Sequence, residues 1–130
     1  MLKRDSLTAS MQQLSYILAK VKRLIVEDDE AEALMITNNV FQEYYRLTDH
    51  DLIEKTEDAF LLLIKTKGLQ VEELNMLAYF MDEYAGLQKT VSNQLLVYKK
   101  LIRLFDFMEK ELQYISFEHI SRRAIIEKQI

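Results

Sequence analysis

The chain of 130 residues contains no proline, no cysteine and no tryptophan, and it has only two glycines. Because proline breaks the interior of a helix and glycine weakens it, a chain this poor in both has few positions at which a helix must stop. The absence of cysteine excludes disulfides, thiol nucleophiles and cysteine-ligated zinc or iron–sulfur sites. The composition therefore predicts an all-α fold and removes several classes of catalytic and metal chemistry.

Excess positive charge and long apolar runs are also missing. The formal net charge is −4, which lacks the electrostatic footprint of most nucleic-acid-binding proteins. The longest apolar run, Ala59 to Ile64, is far shorter than the roughly 18 residues that a membrane span requires. The start of the chain leads into an amphipathic segment and does not look like a signal peptide. We expect one soluble, cytoplasmic domain over residues 1–130.

The spacing of apolar residues predicts five or six amphipathic helices in a tetratricopeptide-like array or an irregular bundle, and no strand pattern competes with them. Thr48 followed by Asp51 resembles a capping box that starts the third helix. Gly68 and Gly86 follow the third and fourth helices, where a left-handed cap is favoured. The last helix begins after Ser116 and carries Phe117, Ile120, Ala124 and Ile125. The predicted ranges are 5–26, 30–46, 51–66, 71–86, 92–115 and a short helix from 116 onward.

A weak internal similarity indicates how these helices are arranged. Leu14-x-x-Ile17-Leu18-x-x-Val21 in the first helix matches Leu74-x-x-Leu77-Ala78-x-x-Met81 in the fourth. Two antiparallel hairpins with similar inner faces, joined by the third helix, would produce this echo. The spacing is also that of tetratricopeptide hairpins, although the period is far from 34 residues. We expect all the helices to pack by burying their apolar stripes and to turn their polar residues to water.

Several short segments are similar to a family of small, uncharacterised bacterial helical proteins that is catalogued as a domain of unknown function. The segments are Lys3-Arg4-Asp5, Met11-Gln12-Gln13-Leu14, Leu18-Ala19-Lys20, Glu32-Ala33-Leu34, Leu77-Ala78 and Tyr98-Lys99-Lys100-Leu101. Proteins of that family resemble tetratricopeptide folds, so the resemblance implies the fold and supplies no activity. This chain departs from the family at the first hairpin turn, where a Gly-Asp pair is replaced by Asp28-Asp29.

Acidic residues and histidines give the candidates for metal chemistry. Glu54, Glu57 and Asp58 superficially resemble the magnesium-binding acids of helical nucleotide pyrophosphohydrolases. A magnesium-dependent phosphohydrolase is therefore one alternative function, but no cluster of lysine or arginine follows to hold phosphates. His50 could share a metal with Glu54, yet two ligands are too few for a site, and we expect His50 to face solvent.

His119, the only other histidine, is expected at the surface or at a rim, beside Glu118 and Arg122. No serine lies in a nucleophile elbow, and two isolated glycines cannot form a phosphate-binding loop. We therefore predict no catalytic residue, no metal site and no cofactor.

Basic residues on the fifth helix form a second alternative site. Lys99, Lys100 and Arg103 could contact nucleic acid, but acidic residues follow directly and a solvated helix face explains the pattern better. We expect no nucleic-acid partner and no membrane partner.

The chain has seven tyrosines and six phenylalanines, and these aromatic residues are the best candidates for a binding surface. Consecutive aromatic residues point about 100° apart on a helix, so one of each pair is expected at a rim or exposed. Tyrosine is enriched at protein contacts. We therefore predict a non-catalytic helical module that binds a protein partner or a second copy of itself through Tyr45, Tyr79, Tyr84 and Phe107. Packing of these rings between the hairpins is the alternative.

Overall fold

The protein is described by a computed structural model that covers residues 2–130, with side chains from Asp5 onward. The chain forms six α-helices and two single π-helical turns, and residues 2–130 contain no strand. The prediction of an all-α fold is confirmed. The helices are α1 (Leu2–Val26), α2 (Glu30–Val40), α3 (Glu57–Thr66), α4 (Val71–Gly86), α5 (Val91–Lys110) and α6 (Phe117–Glu127), and the π-helical turns are Phe41–Tyr45 and His50–Glu54.

Two helical hairpins form the centre of the fold. α1 packs on α2, α4 packs on α5, and the two hairpins meet where α1 lies against α4. α3 and the His50–Glu54 turn cover α5, and α6 lies against the far side of α5. The expected pair of hairpins joined by a third helix is therefore confirmed. One apolar core runs through the molecule and includes Val21, Ala33, Phe60, Leu77, Phe80, Met81, Val97, Leu101 and Leu104.

Short polar side chains begin four of the helices. Thr56, Thr90 and Ser116 each accept a hydrogen bond from the backbone N–H three residues later, at 3.1, 3.1 and 3.3 Å. Asp29 does the same for α2 at 3.4 Å. Such a side chain satisfies one of the free N–H groups at a helix start, which explains why these helices begin where they do.

Two predicted boundaries are wrong. The predicted helix over 51–66 is interrupted, because Lys55 is extended and Thr56 starts a new helix. The Thr48–Asp51 capping box forms as predicted, with the Asp51 carboxylate 2.9 Å from the Thr48 N–H, but it opens the π-helical turn instead of α3. The fifth helix ends at Lys110, five residues before the predicted Ile115. There the chain turns away through Gln113, whose φ is 55°.

The two glycines behave differently. Gly68 has a φ of 63° and ends α3 in the predicted left-handed conformation. Gly86 is the last residue of α4 and does not have a positive φ, so that prediction is wrong. Three residues other than glycine also have a positive φ and follow helices or turns: Asp28, Arg46 and Gln113.

No helix within residues 2–130 is both long enough and apolar enough to cross a membrane.

Candidate interaction surface

Two of the four predicted interface residues lie in the core. Tyr45 and Tyr84 are each only 1% exposed. The Tyr45 hydroxyl donates to the Glu73 carbonyl oxygen at 2.7 Å, and the Tyr84 hydroxyl donates to Asp49 Oδ1 at 2.7 Å. A satisfied hydroxyl allows a tyrosine ring to be buried as fully as a phenylalanine ring. The two residues have no surface to offer a partner, which corrects the expectation.

Tyr44 takes the outer position that the sequence reasoning assigned to Tyr45. Its hydroxyl donates to Glu73 Oε2 at 2.9 Å, and its ring meets the Tyr45 ring edge-on, with centroids 4.9 Å apart. Burial, followed by the Glu73 hydrogen bond and charge, raises the pKa of Tyr44 to about 12. Burial also raises the pKa of Tyr45 and of Tyr84. These hydroxyls therefore stay protonated at neutral pH and act as donors.

The other two predicted interface residues remain at the surface, but on different sides of the molecule. Tyr79 on α4 is partly exposed and donates to Glu118 Oε2 of α6 at 2.6 Å. Phe107 on α5 is partly exposed under the Lys65 ammonium of α3, which lies 5.3 Å from the ring centroid. The four predicted residues therefore do not form one surface.

The acidic candidates for a metal site are each paired with a histidine or an arginine. His50 is exposed, as expected, and its Nδ1 lies 2.6 Å from Glu54 Oε2. The Arg103 guanidinium lies 2.6 Å from Asp58 and 3.8 Å from Glu57. Among the residues that the structure describes, no three histidine, aspartate or glutamate side chains converge as metal ligands.

The basic stripe on α5 is not assembled at the surface. Lys100, expected on a solvated face, is buried, and its Nζ donates to the Ile53 carbonyl oxygen at 3.2 Å. Burial lowers the pKa of Lys100, and the nearby Glu57 opposes that shift. Since Arg103 is held by acidic residues, only Lys99 of the three extends freely into solvent. Lys100 ties α5 to the end of the His50–Glu54 turn.

α6 packs on the body of the protein through its polar residues. Arg122 donates two hydrogen bonds to the Asp82 carboxylate of α4, at 2.6 and 2.8 Å. Arg123 forms an ion pair with Asp106 of α5 on the neighbouring side. Paired donors matched to both oxygens of a carboxylate fix geometry as well as adding stability. The expectation that every helix packs by its apolar stripe is wrong for α6.

His119 lies at the centre of this contact. It is 7% exposed, its Nε2 lies 2.7 Å from Asn75 Oδ1, and its ring packs at 4.5 Å from the Phe105 ring centroid. The expected position of His119 at the surface or at a rim is therefore wrong. Burial lowers the pKa of His119, and the charge of Glu118 partly opposes the shift. A neutral imidazole is thus the form that fits between α6, α4 and α5.

The opposite face of α6 is apolar and faces solvent. Phe117 is 86% exposed, and Ile120 and Ile125 are about half exposed. Ala124 lies on the same face, one turn after Ile120. We call these four residues the outer α6 face. Ile115, 70% exposed in the preceding segment, continues it. Large apolar side chains that are exposed together mark a candidate binding surface.

The other candidate binding surface is a groove between α1 and α2. It is an open groove of about 480 Å³ with apolar walls that include Leu14, Ile17, Ile36 and Val40. Tyr44 and Glu43 stand at one end and Lys20 at the other. Its polar rim carries both signs of charge, so the groove favours no particular ligand.

Comparisons with protein-family models, with curated proteins and with solved structures gave no match. The resemblance to a bacterial domain of unknown function and to tetratricopeptide folds therefore stays a prediction.

Proposed function

We propose that this protein is a non-catalytic helical module of the cytoplasm that binds another protein chain through the outer α6 face. The observation that supports the proposal is the orientation of α6, whose polar groups contact the body while Phe117, Ile120 and Ile125 face solvent. A helix that only completed a fold would gain more by burying these side chains, since each contributes about 1.5–3 kcal/mol when fully removed from water.

The arrangement of polar contacts also favours a binding role. Arg122 with Asp82, and Glu118 with Tyr79, hold α6 in a defined orientation. A rigidly presented apolar surface loses little conformational entropy on binding, which favours affinity. A tetratricopeptide-like arrangement of the helical hairpins is part of the same proposal.

An enzymatic role has less support. The acidic residues suggested for magnesium binding are exposed or paired with Arg103 and His50, and nothing around them resembles a phosphate-binding cluster. No separate observation favours the phosphohydrolase or the nucleic-acid alternative.

The test compares two substitutions of the same chemistry on different faces. Ile120→Glu places a charge in the centre of the outer α6 face, and Leu62→Glu places one at an exposed apolar residue of α3. We expect the proteins captured from source cells by the wild-type chain to be retained by Leu62→Glu and lost by Ile120→Glu, with equal helicity by circular dichroism. Capture that survives both substitutions would contradict a binding role for α6.

A further inference from the structure

We infer that the outer α6 face binds the same face of a second copy of this chain, with the two α6 helices antiparallel about a twofold axis. The inference rests on the proposed function and names its partner. Three features of α6 support it: the width of the apolar stripe formed by Phe117, Ile120 and Ala124, the side chains that an antiparallel pair brings together, and the charges beside that stripe.

The width and the length of the stripe match what one partner helix can cover. At 100° per residue, Phe117, Ile120 and Ala124 fall within about 60° of one another on the surface of α6. At 1.5 Å per residue they extend over about 10 Å along the helix axis. A seam this narrow, with apolar residues spaced by three and four, is the pattern by which two helices pack together.

Side-chain size favours the antiparallel direction. With the twofold axis near residue 122, Ile120 of one copy lies opposite Ala124 of the other, and the same pair recurs on the other side of the axis. Each contact then matches a large side chain with a small one. A parallel pair would place Ala124 against Ala124 and leave a gap, which costs dispersion contacts.

The flanking charges favour the same direction. Glu118 lies in the first turn of α6, and Lys128 directly follows its last residue. Both are exposed on the same side of the stripe, and the Glu118 carboxylate also accepts the hydrogen bond from Tyr79. An antiparallel pair brings Glu118 of each copy towards Lys128 of the other, giving two attractive contacts. A parallel pair would align like charges, which disfavours it.

A membrane surface fits the stripe less well. Helices that lie on membranes combine an apolar face with free basic residues that attract anionic lipid. Here Arg122 and Arg123 are held by Asp82 and Asp106, and the whole chain carries a net charge of −4. Because one 11-residue helix per copy forms the contact, the interface is small, and we expect a reversible dimer with a dissociation constant in the micromolar range or weaker.

The absence of cysteine makes the geometry directly testable. Ser121 is exposed and lies next to the proposed axis, so Ser121→Cys should give a disulfide-linked dimer under mild oxidation. Ser92→Cys, exposed in the first turn of α5, is the matched control and should stay monomeric. Equal cross-linking of the two variants, or none of either, would overturn the inference.

Sedimentation equilibrium measures the affinity. We expect the wild-type chain to dimerise with concentration and Ile120→Glu to weaken the dimer at least tenfold. Lys128→Glu should also weaken it, whereas Lys99→Glu, which changes the charge by the same amount at an exposed position of α5, should not. A dimer that is unaffected by Ile120→Glu, or one that Lys99→Glu weakens as much as Lys128→Glu does, contradicts this arrangement.

Failure of the inference can be told apart from failure of the proposed function. A wild-type chain that stays monomeric near millimolar concentration, yet captures a different protein in an Ile120-dependent way, refutes the homodimer and leaves the binding function intact. Ile120-dependent flotation with phosphatidylcholine–phosphatidylserine vesicles would refute both in favour of a lipid surface. If neither self-association nor any Ile120-dependent capture is seen, the function itself is wrong.

Discussion

α4 and α6 join the same body by opposite means. α4 buries eight of its residues, and six of these are leucine, methionine, phenylalanine or tyrosine. α6 buries only His119 and Ile126 and is held by ion pairs and hydrogen bonds. Apolar burial contributes most of the stability of folded proteins, whereas partly exposed ion pairs contribute little each. The difference implies that α4 belongs to the stable core and that α6 opens more readily.

The way in which α6 is attached also bears on binding. A helix held by directional polar contacts keeps a fixed orientation even though its apolar residues remain outside. Such a helix can present a binding surface without making the core depend on it. The following experiments test whether α4 and α6 differ as described.

The largest change in the free energy of unfolding should come from a substitution on the buried face of α4. Leu77 on α4 is fully buried, and Leu77→Ala should lower the free energy of unfolding by about 2–5 kcal/mol because it leaves a cavity. Urea unfolding followed by circular dichroism measures the change. Leu62→Ala on the exposed side of α3 is the control and should change stability by less than about 0.5 kcal/mol. A similar loss in both variants would show that the core does not centre on α4.

A smaller and local effect is expected for α6. Arg122→Met removes the paired hydrogen bonds to Asp82 and should destabilise the α6 contact by about 1–3 kcal/mol. Hydrogen exchange should become faster in α6 while the protection of α4 is kept. Lys99→Met, at an exposed position of α5, should leave both rates unchanged. Loss of protection in both helices at once would mean that α6 is part of the cooperative core.

Substitution of the two glycines by alanine should change the free energy of unfolding by up to about 1 kcal/mol each, with opposite signs. Gly68→Ala should lower the free energy of unfolding by about 1 kcal/mol, because alanine is strained at a φ of 63°. Gly86→Ala should raise it by about 0.4–1 kcal/mol, because Gly86 is helical and an added Cβ meets nothing within 4 Å. Thermal unfolding of the two variants measures both changes. The same sign in both would contradict the assigned backbone conformations.

The smallest effect should be a pH dependence of the α6 contact. The ordinary pKa of histidine is 6.5, and burial lowers the pKa of His119 below it. As the pH falls below about 6.5, the detached or unfolded form binds a proton that the packed form excludes, so stability is lost until the pH reaches the lowered pKa. Because the intrinsic rate of amide exchange itself falls as the pH falls, the quantity to compare is the protection factor, and the protection factors of the α6 amides should decrease at acidic pH.

His119→Leu should remove this dependence, and His50→Leu should keep it, because His50 is exposed and lies outside the α6 contact. An unchanged acid response in His119→Leu would assign the effect to another group.

The sequence predicted most of the fold because its signals were local. Thr90 and Ser116 start helices as capping residues, and the apolar period of α4 matches its buried face. The π-helical turns were missed, because a hydrogen bond spanning five residues changes the apolar spacing very little over a single turn. Thr56 was missed as a helix start because apolar residues continue on both sides of it.

The candidate surface was less predictable, because it depends on partners distant in the chain. Nothing local in the sequence indicates that Tyr84 finds Asp49, or that Tyr45 finds the carbonyl of Glu73. The amphipathic pattern of α6 gave its two faces, but not which of them packs on the body. That choice depends on Asp82 and Asn75, on a helix more than thirty residues away.

Lys100 has a practical consequence. Lys100 is buried, its amine donates to the Ile53 carbonyl oxygen of the His50–Glu54 turn, and burial lowers its pKa. An acylating reagent in the surrounding water should therefore modify the exposed lysines first and reach Lys100 when that seam separates. The delay of its modification, measured by mass spectrometry, would report how often the contact between α5 and the His50–Glu54 turn opens.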